Sequence, residues 1–280
     1  MATYDIVLTV NGREVAGKVA AETTLLDFLR DRNFIDVSVR GTFNLLDAAK
    51  ESGAKQFILA GGDAALGIFF YENPEPLGSD APLRAYPGYY AFSKVLEEVM
   101  VRQYGIQYGL PYTIMRYSWI QDADDLLCYM TFRPPEFGGP GWKGLATTDE
   151  QRAFFDEGRD GVGCLRHPGG APYVRHVVAI GDVTGSMTAA LDNPAALGEA
   201  FNVATPEPFR YDELAAYIAR KLDIPAVDFE WDGAHDFSID VSKTRDVLGY
   251  APQWTTERIV DDAIAFRALG GARPEVRYGG

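Results

Sequence analysis

Tyr90 and Lys94, in the run Tyr90-Ala-Phe-Ser-Lys94, set a phenol and an ammonium four residues apart. On a helix these two positions share a face. A nearby cation favours phenolate over phenol, which would make the tyrosine a proton donor and acceptor near neutral pH. That suits a reaction in which a proton leaves a substrate hydroxyl while hydride leaves the carbon. The hydride needs an acceptor, and nucleotide acceptors are seated by a glycine turn between a strand and a helix. No such turn precedes the pair. The bland alternative is an aromatic helix face with a solvated lysine, since so short a motif also arises by chance.

The surrounding pattern decides which elements would position the pair. Val37 to Ser52 reads as a helix with Val39, Phe43, Leu46 and Ala49 mainly on one face and Gly53 as its stop. Gln56 to Gly62 is a short apolar strand running into glycine, as buried parallel strands do. A loop bearing Pro and Gly, Asn73 to Gly88, leads to a helix from Tyr90 to about Tyr104, and Pro111 to Tyr117 is a second buried strand. Strand, helix and strand in this order imply a parallel crossover. Further on, 122–172 reads as loop-rich. A strand (Val174–Ile180), a helix opened by Asp182, a strand (Ala200–Ala204), a helix (Tyr211–Leu222) and a last helix near Glu257 to Leu269 follow.

The first 33 residues follow another pattern. Tyr4 to Val10 alternates, Asn11-Gly12 is a hairpin turn, Glu14 to Ala20 alternates again, and Thr23 or Thr24 can cap a short helix from Leu25 to Arg32. Gly12 to Lys18 imitates a phosphate loop. However, Val19 stands where Ser or Thr is required, and the stretch spans a hairpin rather than a strand-to-helix turn. The expected organisation is a hairpin and helix over 1–33, a Rossmann-like core over 34–121, and a substrate region with a C-terminal α/β part over 122–280.

Composition narrows the function classes. With 280 residues, 47% hydrophobic and 24% charged, the chain can bury a substantial core. A formal charge of −14 and the lack of any basic run argue against nucleic-acid binding. Cys128 and Cys164 make neither a disulfide framework nor a four-ligand metal site. No apolar run approaches a membrane span, and the first ten residues lack the pattern of a signal peptide, so a cytoplasmic protein is expected. His167, His176 and His235 are scattered on different segments, and Asp122-Ala-Asp-Asp125 reads as a solvated loop, so no metal is expected.

Taken in order, several segments resemble the extended short-chain dehydrogenases/reductases, the NAD-dependent epimerase/dehydratase family. They are Asp36 to Ala49, the strand ending at Gly62, Tyr90 to Lys94, Arg116-Tyr117, Arg175 to Val183, Phe201 to Pro208, and Leu248 to Trp254. The resemblance covers roughly 35–268. It implies an α/β fold with an incomplete doubly wound parallel sheet, because the family's opening βαβαβ unit, with its glycine turn and acidic ribose ligand, has no counterpart in the sequence. Residues 1–33 are similar to the start of the [2Fe-2S] domain of molybdenum hydroxylase small subunits. With no cysteine before Cys128, no iron–sulfur cluster is expected there.

The resemblance also implies roles. Tyr90 would shuttle the proton, and Lys94 would lower its pKa and bond the nicotinamide ribose of NAD or NADP. Ala60, Gly61 and Gly62 would line one side of the nicotinamide, with Tyr117 and Ser118 bordering it. The family's serine or threonine falls where this chain has Gly61, Gly62 and Asp63, and its helix asparagine falls at Ser38. Ser118 or Asp63 would stand in for the missing hydroxyl. Asp63, Trp119 and Arg175 would face a small substrate, Trp119 in place of the asparagine of sugar-nucleotide epimerases and Arg175 as the anion contact. The resemblance further implies a homodimer through the helices 37–52 and 90–104. The alternative is a noncatalytic scaffold of the same ancestry that has lost its cofactor.

Overall fold

A computed structural model describes residues 3–10, 13–20, 34–132 and 141–271. β1 (Thr3–Val10) and β2 (Arg13–Ala20) form an antiparallel hairpin in which Thr3 faces Ala20 and Val10 faces Arg13. The expected turn at Asn11-Gly12 and the helix Leu25 to Arg32 lie outside the described residues.

The core of the architecture is a parallel sheet of order β3-β4-β9, from Phe57–Gly62, Tyr112–Tyr117 and Glu199–Val203. Helix α1 (Gly41–Ser52) precedes β3 and is led in by a wide π-helical stretch, Phe34–Arg40. Gly53 closes α1 at φ 66°, a left-handed conformation that glycine adopts without a Cβ penalty. Helix α2 (Tyr89–Tyr108) crosses from β3 to β4 and outruns the expected Tyr90–Tyr104, ending at Gly109. Successive residues of β4 serve opposite faces. Ile114 packs with Leu46, Leu59, Val101 and Tyr104 under α1 and α2. Met115 and Tyr117 pack with Val178, Phe201, Val203 and Leu248 on the other side. The fold is therefore α/β and Rossmann-like.

The region read as loop-rich, 122–172, is ordered differently. Its described part holds α3 (Asp125–Met130), α4 (Trp142–Leu145), α5 (Asp149–Asp156) and β6 (Val162–Arg166). Two of these helices span only six and four residues, too short to show a 3.6-residue period. Their stability comes from burying Leu126, Leu127, Tyr129, Met130 and Trp142 in one cluster with Val162, Phe229 and Val260.

The expected strand Val174–Ile180 is two strands. β7 (Val174–Arg175) pairs antiparallel with β10 (Phe209–Arg210), whereas β8 (Val177–Ala179) pairs parallel with β5 (Trp119–Gln121). His176 marks the break and turns its Nδ1 to accept the Ile239 N–H at 2.7 Å. Helix α6 (Ile180–Ala190) begins before Asp182. That carboxylate instead accepts the Tyr250 hydroxyl and the Gln253 and Trp254 N–H groups at 2.7–3.1 Å, tying down the 250–254 segment. Helix α7 (Tyr211–Leu222), β11 (Ala226–Glu230, parallel to β6), α8 (Ser242–Asp246) and α9 (Thr256–Ala268) complete the chain. No helix among the described residues is long and apolar enough to cross a membrane.

Candidate active site

The carboxyl end of β3 is bare backbone at Gly61-Gly62, and the start of α2 lies against it. A Cβ placed on Gly62 would sit 3.8 Å from the Tyr90 hydroxyl and 3.9 Å from Lys94 Cδ. The phenol and the lysine stem thus meet at the strand end, as the i, i+4 spacing predicts. Two contacts hold α2 in place. The Arg116 guanidinium, 2% exposed on β4, gives Nε and Nη2 to the two oxygens of Glu98 at 2.7 and 2.9 Å and Nη1 to the Ser79 carbonyl at 2.7 Å. Asp47 of α1 accepts the Tyr104 hydroxyl at 2.9 Å.

The electrostatics of the pair differ from the expectation. The Lys94 ammonium is bound to Glu97 Oε2 at 2.9 Å and lies 6.0 Å from the centre of the Tyr90 ring. Tyr90 leaves 42% of its surface open, with Phe34 edge-on at 5.4 Å, but its hydroxyl end points inward to Gly62. The phenol is pushed up to about 12, first by burial and then by the charges of Asp63 and Glu97. The raised phenol runs against the expectation that Lys94 lowers it: burial is the main cause, and the lysine is engaged by Glu97. Glu97 is in turn raised, chiefly by burial, against the pull of Lys94 and a hydrogen bond from Ser38.

Beyond Gly62 the chain makes a short 3-10 turn, Asp63–Leu66, that buries Asp63. Its Oδ2 accepts the Ser118 hydroxyl at 2.8 Å, and the same hydroxyl lies 3.0 Å from the His176 carbonyl. Burial pushes the Asp63 carboxyl up to about 7, opposed by Ser118, the Ala64 N–H and Arg175. The two residues expected to replace the missing hydroxyl are therefore partners of each other.

Arg175 reaches the Tyr129 hydroxyl at 2.9 Å, which in turn contacts the Tyr211 hydroxyl. Its Nε is buried without a partner, and Phe69 lies 5.0 Å from the guanidinium. Asp63 acts electrostatically on both Tyr90 and Arg175. Trp119 packs edge-on against Tyr129 at 4.5 Å. The Tyr117 side chain lies in the core with its hydroxyl 3.4 Å from the Val183 carbonyl, and only its backbone carbonyl approaches Gly62. Its expected border position is thus corrected to a backbone one, because β4 alternation turns its ring the other way.

With this geometry in place, three comparisons bear on the chain. Residues 15–120 match the NAD dependent epimerase/dehydratase family. A short-chain dehydrogenase/reductase superfamily protein of Agrobacterium tumefaciens with bound NAD shares 26% identity over 90% of this chain and 78% of that one, with a TM-score of 0.73. Over residues 15–120 the chain is similar to the NAD dependent epimerases and dehydratases, and it shares the fold of this short-chain dehydrogenase/reductase superfamily protein. UDP-glucose 4-epimerase of Thermotoga maritima with UDP-glucose (18% identity, 90% and 76% coverage, TM-score 0.63) has the same fold. So does RMD of Pseudomonas aeruginosa complexed with NADPH (19%, 91% and 80%, TM-score 0.61). The curated proteins hold no match. The family match reaches back to residue 15, inside the segment that the sequence sets apart as 1–33.

How far the residues fit a dinucleotide can be tested on the geometry. The side-chain-free strand end flanked by Tyr90 and Lys94 fits the nicotinamide–ribose half. Among the described residues, no glycine turn joins a strand to a helix N-terminus to seat the pyrophosphate. Two open cavities, about 290 and 450 Å³, are lined by Tyr86, Tyr89 and Phe92 and by His167, Tyr173 and Asp236 among others. Neither includes Tyr90 or Lys94. No group of three or more His, Cys, Asp or Glu among the described residues is arranged to hold a metal ion.

Sequence reasoning missed four side chains of this site. Glu97 and Glu98 stand three and four residues after Lys94, a spacing that was readable. Tyr129 and Tyr211 sit on elements far apart in the chain and carry no local signal.

Proposed function

We propose that this protein is an NAD(P)-dependent oxidoreductase or epimerase/dehydratase acting at a hydroxyl- or carbonyl-bearing carbon of a small anionic substrate. The observation that carries the reading is the meeting of the Tyr90 hydroxyl and the Lys94 stem at the bare end of β3. When bound, the nicotinamide would supply or accept the hydride. Tyr90 exchanges the proton with the substrate oxygen, and Lys94 bonds the ribose once released from Glu97. Ala60, Gly61 and Gly62 line the nicotinamide, bordered by Ser118 and the Tyr117 backbone. Asp63 and Trp119 face the substrate side.

Arg175 supports an anionic substrate. A half-buried guanidinium with a buried, unpartnered Nε and a hydrogen bond to a neutral hydroxyl has donors to spare for carboxylate or phosphate. The homodimer and the cytoplasmic setting belong to the same reading. Phe92, Val99 and Ile106 recur every seven residues as exposed apolar side chains on α2, and Val37 and Leu45 are exposed on the neighbouring helical segment.

A noncatalytic scaffold is the second reading, favoured by the Lys94–Glu97 pair and by the lack of a pyrophosphate turn among the described residues. Calorimetry with NAD and NADP separates the two. Saturable binding that weakens in Lys94→Ala supports the enzyme. A folded protein with no heat of binding at millimolar nucleotide refutes it.

A further inference from the structure

Glu97 is an acid that proton transfer at Tyr90 does not call for. It is 3% exposed, seven residues after Tyr90 and three after Lys94, hence on the same helix face. Its carboxylate binds the Lys94 ammonium at 2.9 Å and takes a hydrogen bond from Ser38 on the π-helical stretch. The lysine stem therefore passes the phenol at Gly62 while its charge is drawn away, 6.0 Å from the ring centre. The other charged or titratable groups around this point are Glu98 on α2, Asp63 after β3, Tyr86 on the incoming loop and Arg116 on β4. Arg116 is already spent on Glu98.

We propose that Glu97 is a positioning residue for the Tyr90–Lys94 pair: it holds the ammonium off the phenol, so that Tyr90 stays protonated until a ligand hydroxyl competes for Lys94. The inference rests on the redox reading of the pair. An ammonium has three donors, and moving it from a carboxylate toward a ligand oxygen beside the phenol changes the field at Tyr90 without moving the backbone. Ser38 also hydrogen-bonds the Glu97 carboxylate, which gives that carboxylate a partner besides the lysine.

The test uses the full chain without cofactor or substrate, so its failure is distinct from a failure to bind NAD or to turn over. Tyrosinate absorbance is titrated, and Tyr90 is isolated by subtracting the Tyr90→Phe counterpart of each protein. In Glu97→Gln the Tyr90 midpoint should fall by about one unit, because the opposing charge is gone and the lysine is free to approach. Adding Lys94→Met to that variant should bring the midpoint back up, which a merely structural loss would not do. An unchanged or higher midpoint in folded Glu97→Gln overturns the proposal. If Glu97→Gln does not fold, Glu97→Asp keeps the charge but is one methylene too short for the ion pair. A smaller fall is then expected, and no fall overturns the proposal equally.

Discussion

Asp63→Asn should stabilise this protein, and by an amount that depends on pH in a prescribed way. Asp63 is 8% exposed, and burial pushes its carboxyl up from 3.8 to about 7. Its folded pKa is raised, so the native state holds the proton more tightly. The stability it contributes is complete below about pH 4 and is lost as pH rises through about 7. Three units correspond to about 4 kcal/mol. His176, 2% exposed, works in the other direction: burial lowers it from 6.5 to about 4. Its contribution is complete above the open-chain value and is lost on acidification toward about pH 4, a change of about 3 kcal/mol. Between roughly pH 4 and 6.5 the two slopes oppose each other, and the wild type should look nearly flat. Asparagine keeps an acceptor for the Ser118 hydroxyl and removes the titration. Urea melts followed by far-ultraviolet circular dichroism should show variant and wild type alike near pH 4, and the variant ahead by up to about 4 kcal/mol at pH 8. A stability difference that does not change with pH, or an asparagine variant weaker at pH 8, would refute the buried-acid reasoning.

Three further outcomes follow from the same geometry. Tyr90→Phe should leave nucleotide binding measurable by calorimetry and reduce turnover by about 10²–10⁴, the range expected for loss of a general acid–base. Glu98→Gln strands the buried Arg116 guanidinium and should cost about 3–5 kcal/mol in urea melts, whereas Glu98→Leu combined with Arg116→Met should recover much of it. Gly163→Ala should cost about 1–3 kcal/mol by overpacking. Its new Cβ would clash with the Trp142 ring at Cζ3, and near-ultraviolet circular dichroism should report the displaced indole.

The parts of this structure that could be read ahead are those with a local signal. Leu46 and Gly53 give α1 its face and its stop, and the apolar run into Gly61-Gly62 marks a strand that ends beside Tyr90 and Lys94. The Tyr90–Lys94 spacing also carried over, because helix geometry alone brings both side chains to Gly62. What escaped depends on contacts between distant segments. Nothing near Arg175 announces that it meets Tyr129 and Tyr211, and nothing near Asp182 announces that it binds the 250–254 backbone. Helices as short as α4 are made by burial of one indole rather than by periodicity. Glu97 is a different case: the acid is visible three residues after Lys94, a spacing at which it competes with the phenol for the ammonium.

That competition governs how the proposed reaction responds to pH. A phenol at about 12 is ionised in about one molecule in 10⁵ at pH 7, so the free protein holds Tyr90 as an acid. Proton donation to a carbonyl oxygen starts from the populated state, whereas removal of a proton from an alcohol starts from the rare phenolate. For alcohol oxidation, kcat/KM reports the free protein and should climb about tenfold per pH unit from neutrality to beyond pH 9. The kcat profile reports the bound state and should bend at lower pH if the ligand has drawn Lys94 from Glu97 toward the phenol. In the reduction direction, kcat/KM should be flat over the same range. A plateau in the oxidative kcat/KM below pH 9 would mean that a group other than Tyr90 takes the proton, or that Lys94 already acts on the phenol before anything binds.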